Sequence, residues 1–322
     1  MISRRNIRVK VMQTIYTLST LEQGLKPGEP VQLLQKHFDQ SKELFLYLTY
    51  FLSEVAGYAE KDSYLRSGKH LPSSADLNVN TKIAGNELLW RIKEDAGYQQ
   101  QLGKAKFENR IDKELVKKIY LELAESAQYH AYISVNERNP KEEREILEYI
   151  FNELLVPNEV FLSHLEEHFM NWDDDADMVI QLVQGLLLKP TAINFNEVVS
   201  ADKWNFAKNL ITTVIEKKEH LETLIIPKLK NWDAERIAAL DMIIMRMGVA
   251  ELLYFETIPP KVTINEYIDI AKEYSTQQSG QFVNGILDNI HKELVQQGKL
   301  HKTEFKKTKM NTTQDNLKEE KP

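Results

Sequence analysis

The sequence predicts an all-α protein, and three observations carry that expectation. Apolar residues recur at steps of three and four along nearly the whole chain, the period of a helix with one buried face. Gly (12) and Pro (10) are scarce for 322 residues, so the glycine-rich turns of a β-sandwich or a nucleotide-binding α/β sheet are missing. Hydrophobic residues make up 42% of the chain, yet no run approaches the roughly 20 apolar residues that span a membrane.

Ile7, Val11, Ile15 and Leu18 form one stripe and predict a first helix. Lys10, Gln13, Thr14 and Thr17 break the continuous apolar run that a secretory leader needs, so this segment is expected to fold rather than to be removed. Residues 33–58 contain no Pro and one Gly and predict a long buried helix. Residues 63–82 collect Ser, Gly, Pro and Asn and predict a loop. Helical periodicity returns over 83–91 and 109–134, with a polar, Gln-rich segment between them. It breaks at Asn139-Pro140 and resumes over 142–155, 158–169, 176–188, 201–218 and 219–225. Asp233 is expected to cap a helix that runs to Leu253 and is apolar almost all round, which places it centrally in a bundle. Pro259-Pro260 stop that helix. A further helix follows over about 263–274, with Ile264, Ile268 and Ala271 on its inner side. Ser279 is expected to cap a last one carrying Phe282, Ile286 and Ile290, and Gly285 within it to permit a close helix approach. From Lys299 hydrophobicity falls away and disorder is expected.

Charge is uneven. The chain carries −7 overall, but residues 1–21 hold Arg4, Arg5, Arg8 and Lys10 with no acid, and 299–322 hold seven Lys against four acids. Two basic ends on an acidic body predict local contact with a polyanion. On a helical wheel Arg4, Arg5 and Arg8 share a sector of about 100°, with Tyr16 just beyond its edge.

Catalytic signatures are thin. The absence of cysteine removes disulfides, Cys-ligated zinc and thiol nucleophiles, and fits a reducing compartment. His164-Leu165-Glu166-Glu167-His168 fits H-x-x-E-H, with Glu167 in the position of a base, but no third ligand is marked, and a solvated helix face is the expected reading. Asp173, Asp174, Asp175 and Asp177 precede an apolar helix and are expected to serve its N-terminal dipole rather than a cation. Phosphate-loop, dinucleotide and nucleophile-elbow motifs are absent. No metal or cofactor is expected.

The two ends carry a resemblance. SRRNIRVKVMQTIYTLS (3–19) resembles the first helix of the NusB family. The segment 236–290 resembles that family's C-terminal half almost throughout: Ile-Pro-Pro-Lys-Val at 258–262, Ile264-Asn265-Glu266, Ala271-Lys272 and the run from Ser279 to Asp288. The resemblance implies two small helical bundles, with 1–225 as an N-terminal domain holding a family-atypical insertion at about 22–200, 226–298 as the C-terminal bundle, and 299–322 as a disordered basic tail. It implies a non-enzymatic, cytoplasmic RNA-binding factor of transcription antitermination in ribosomal RNA operons, needing no cofactor and no membrane. The implied partners are single-stranded boxA-like RNA, ribosomal protein NusE, and RNA polymerase with other Nus factors. Arg4, Arg5, Arg8 and Tyr16 match the family's arginine-rich start and its neighbouring aromatic, while Asp241, Tyr274, Gln278 and Gln281 match positions at the RNA or its rim. The physical reading agrees, because single-stranded RNA needs a cationic track and a plane to stack on. It further requires the amino-terminal tip to lie beside the 274–281 turn. The competing expectation is a helical protein–protein scaffold in ribosome biogenesis without direct RNA recognition.

Overall fold

The computed structural model describes residues 2–21, 26–229 and 238–303, and among them every regular element is helical. Asp233 lies outside the described residues. The chain divides into two compact units, Met1–Thr212 and Thr213–Pro322.

The first unit holds α1 (Arg4–Ser19), α2 (Glu29–Ser67), α3 (Ser74–Leu77), α4 (Glu87–Glu94), α5 (Ala96–Ala105), α6 (Lys113–Glu125), α7 (Ala127–Ser134), α8 (Pro140–Tyr149), α9 (Glu159–His168), α10 (Trp172–Leu188) and α11 (Ala201–Glu216) as far as Thr212. Its spine is α2, 39 residues long and packed against α1, α6 and α10. Leu44 to Thr49 are all buried, so this stretch of α2 is covered on every side. Around it sits an aromatic core: the Tyr47 ring lies 5.2 Å from Phe107 and 5.0 Å from Phe169, and Phe51 lies 4.6 Å from Phe161.

Local chemistry moves several boundaries away from the sequence expectation. The segment expected as loop from residue 63 is helical to Ser67, held by an Arg66–Asp62 pair one turn apart at 2.8 Å, and ends only at Gly68. The Gln-rich stretch forms α5, capped by Asp95 accepting from the Tyr98 N–H at 2.9 Å. The helix expected over 109–134 is two helices. Ser126 adopts an extended conformation and its hydroxyl caps α7 by accepting from the Tyr129 N–H. Asn139 caps α8 with Pro140 at its first position, and α8 continues into a π-helical turn, Ile150–Leu155.

The second unit holds α12 (Lys218–Ile225), α13 (Ala239–Tyr254), α14 (Pro260–Tyr274) and α15 (Ser279–Gln296). As its composition requires, α13 is central, packed on α12, α14 and α15. The buried face of α14 runs through Thr263, Tyr267, Ile270 and Ala271, so Ile264 and Ile268 sit at its edges rather than on its centre line. Inside the bundle Thr263 Oγ1 donates to Glu251 at 2.8 Å and Tyr267 Oη donates to the other oxygen at 3.1 Å. The chain is still tied down past Lys299. Lys302 Nζ donates to the carbonyls of Glu251 (3.0 Å) and Phe255 (2.8 Å), which stabilises the C-terminal end of α13.

Close approach in this unit belongs to a different glycine from the one expected. A Cβ built on Gly285 meets nothing within 4 Å, whereas one on Gly248 stands 2.8 Å from Leu287 Cδ1 and 3.4 Å from Tyr267, both buried. The α13–α15 contact therefore depends on Gly248. Gly285→Ala is expected to stabilise the unit by about 1 kcal/mol, since helical glycine carries only its entropic cost there. Gly248→Ala is expected to destabilise it by about 1–3 kcal/mol through overpacking. Urea unfolding of the two variants checks the pair, and equal shifts would refute the assignment.

Candidate nucleic-acid interface

Ser3 is the N-cap of α1 and accepts from the Asn6 N–H at 3.1 Å. The tip is anchored rather than loose, because Lys203 Nζ donates to the Ile2 carbonyl at 2.6 Å and the Ile2 N–H bonds Val198 at 3.4 Å. Asp202 and Phe206, one turn apart on α11, organise the arginines. Arg4 pairs with Asp202 at 3.4 Å, and the guanidinium carbons of Arg4 and Arg8 lie 5.5 and 5.4 Å from the centre of the Phe206 ring. Arg4 is exposed, Arg5 half-buried and Arg8 only 2% exposed. Tyr16 is 46% exposed on the same helix, about 12 Å farther along its axis than Arg8.

Lys10, counted among the terminal cations in the sequence, does not join them. It is buried in an ion pair with Asp175, whose other oxygen accepts from Ser41 Oγ (2.7 Å) and Asn171 Nδ2 (2.6 Å). So Asp175, besides lying in the first turn of α10, joins that helix to α1 and α2.

Beside the tip a cavity of about 290 Å³ opens between the start of α1 and α10, walled by Ser3, Asn6, Met178, Gln181, Leu182 and Gly185. Its apolar floor and the two carboxamides of Asn6 and Gln181 combine a contact surface with hydrogen-bonding edges.

The other expected residues gather in the second unit. The Asp241 carboxylate is turned inward, 6% exposed, and accepts from Ser279 Oγ at 2.8 Å. Ser279 is therefore not the cap of α15. It is the helix's first residue, with Gln278 before it, and its hydroxyl is engaged by Asp241, by Ser275 at 3.0 Å and by the Thr276 N–H at 3.2 Å. Gln278 and Gln281 are exposed on either side of it, and Tyr274 is half-buried at the end of α14. The arginines and Tyr16 thus belong to one unit, and Asp241, Tyr274, Gln278 and Gln281 to the other. Sequence reasoning missed Asp202 and Phe206, although their four-residue spacing puts an acid and an aromatic on one helix face.

The H-x-x-E-H string is solvated at Glu166 and Glu167, as expected, but not at His164. His164 is 9% exposed, its Nε2 is hydrogen-bonded with Tyr47 Oη, its ring lies 4.4 Å from that of His168, and burial lowers its pKa. His168 Nδ1 lies 2.9 Å from the His164 carbonyl, and His168 is half-buried beside the enclosed His164. Among the described residues no group of three His, Cys, Asp or Glu is placed to hold a metal, and no helix is long and apolar enough to cross a membrane.

Residues 168–292 match the model of the NusB family. The chain is 44% identical over 99 residues to the transcription antitermination protein NusB of Chloroherpeton thalassium (31% of this chain, 47% of that one). It is 46% identical over 99 residues to that of Salinibacter ruber (31% of this chain, 62% of that one). This similarity to the NusB family covers less than half of the chain. A solved structure of T. maritima NusB is 33% identical, covering 40% of this chain and 83% of that one, with a TM-score of 0.29. The matches span about half to three-fifths of the two curated relatives' own length. The NusB match reaches from the end of α9 through α14 into α15. It includes Asp241, Tyr274, Gln278 and Gln281, begins upstream of residue 200, and leaves α1 with Arg4, Arg5, Arg8 and Tyr16 outside it.

Proposed function

We propose that this chain is an RNA-binding transcription antitermination factor, acting on ribosomal RNA operons by binding boxA-like single-stranded RNA with ribosomal protein NusE, and joining RNA polymerase and other Nus factors. The observation that carries this reading is the family match, whose curated members are named transcription antitermination proteins. The physical support is the anchored tip of α1. Arg4 and Arg5 present cationic charge, and a phosphate would take the place of Asp202 on Arg4. Arg8 contributes from within, fixed against Phe206, so that it orders the tip as well as adding charge. Tyr16 offers a stacking plane, and the Asn6–Gln181 cavity offers a seat for an unstacked base. Asp241 acts through Ser279 by holding the start of α15, where Gln278, Gln281 and Tyr274 form a polar rim.

The test is a titration of the full chain against a fluorescent ribosomal leader RNA at several salt concentrations, with and without NusE. Arg4→Ala with Arg5→Ala is expected to weaken binding and to reduce the slope of log K against log salt by about 1.4, roughly 0.7 for each phosphate contact on a single strand. Unchanged affinity and slope would remove the site from α1. Absence of RNA binding by the unaltered chain, with NusE present, would favour the scaffold reading.

A further inference from the structure

Outside the family-matched span, α7 and α8 enclose a groove of about 480 Å³, lined by Ala131, Tyr132, Val135, Glu142, Ile146 and Tyr149 among others. Its apolar wall is open to solvent at Val135, 42% exposed. Its walls are fixed. Lys82 Nζ donates to the carbonyls of Tyr132 (2.7 Å) and Val135 (2.6 Å) at the end of α7, and Tyr132 Oη donates to the buried Glu143 of α8 at 2.7 Å. One polar atom in this wall is unsatisfied: Glu142 Oε2 is buried without a hydrogen-bond donor. A buried carboxylate oxygen left in that state costs free energy that a cationic donor would recover. Glu145, on the same rim, has only an exposed 3.6 Å contact with Lys141.

We propose that this groove docks a basic amphipathic segment of a protein partner, one apolar side chain seating against Ala131, Val135 and Tyr149 while a lysine or arginine reaches Glu142. Complementarity of charge selects this occupant. Carboxylates at the rim repel the phosphates of RNA and of anionic lipid, and a wholly apolar partner leaves Glu142 unsatisfied. The preformed walls reduce the ordering cost of binding, in the manner of helix-in-groove recognition.

The experiment is fluorescence anisotropy of the full chain with a short labelled amphipathic helix of leucine and lysine, and with its leucine–glutamate counterpart. The lysine peptide is expected to bind and the glutamate peptide not. Glu142→Gln is expected to weaken binding about tenfold, the weight of one charge-assisted hydrogen bond. Ala131→Arg, at an exposed position, is expected to abolish it, and Leu71→Arg, at an exposed leucine elsewhere in the unit, to leave it unchanged. Failure of the lysine peptide to bind, equal binding of both peptides, or indifference to both groove variants would each overturn the proposal. An RNA that competed for the groove would overturn it as well.

Discussion

Lys10→Met is expected to cost the first unit about 3–5 kcal/mol, the penalty for removing one partner of a buried ion pair. Both side chains are almost wholly enclosed, 5% and 0% exposed, so the surviving Asp175 carboxylate has no water to turn to. Ser41 and Asn171 donate to one of its oxygens, and the ammonium serves the other. The companion variant decides whether the pair or merely the lysine stem matters. Asp175→Asn keeps an acceptor for Ser41 but strands the Lys10 ammonium, so alone it is also expected to be strongly destabilising. Combined with Lys10→Met it removes both charges and is expected to recover more than half of the loss. Urea unfolding of the four proteins closes the cycle. Additive losses would mean that the pair is not coupled.

The same residues mark how far the sequence could be read. The all-helical class was legible because helix periodicity needs only local spacing, and the central place of α13 followed from its lack of any polar face. Lys10 was counted as a surface cation because its partner lies on α10, a long way along the chain, and no local pattern announces a long-range ion pair. Ser279 and His164 were misassigned for the same reason: their partners, Asp241 and Tyr47, come from other helices. Gly248 and Gly285 both sit in helical periodicity, and the Leu287 and Tyr267 side chains facing Gly248 distinguish them. In the candidate interface the arginines could be read as a run, whereas Phe206, which arranges two of them, carries no signal beyond its spacing from Asp202.

Glu143→Ala is expected to have an effect as large as Lys10→Met, but of a different kind. The side chain is 1% exposed and joins three elements: it accepts from Tyr132 Oη on α7 (2.7 Å), from the Glu87 N–H at the start of α4 (2.7 Å), and from Arg138 Nη1 at 3.0 and 3.1 Å. Its own carbonyl accepts from Asn86 Nδ2, the residue that caps α4. Burial pushes the Tyr132 phenol well above its ordinary pKa, so it stays protonated as the donor. Truncation strands a buried hydroxyl, a backbone N–H and a guanidinium together, a loss of about 3–5 kcal/mol. Because the three elements meet only through this carboxylate network and their packing, the loss should appear first as local opening. Hydrogen exchange read by mass spectrometry should show faster exchange in α4, α7 and α8 while the α13 amides of the other unit keep their protection. The same variant should weaken the lysine peptide, since the groove walls would no longer be held. Unchanged exchange in α7 and α8 would show that the packing of Leu89, Ile146 and Leu147 holds these helices without the carboxylate.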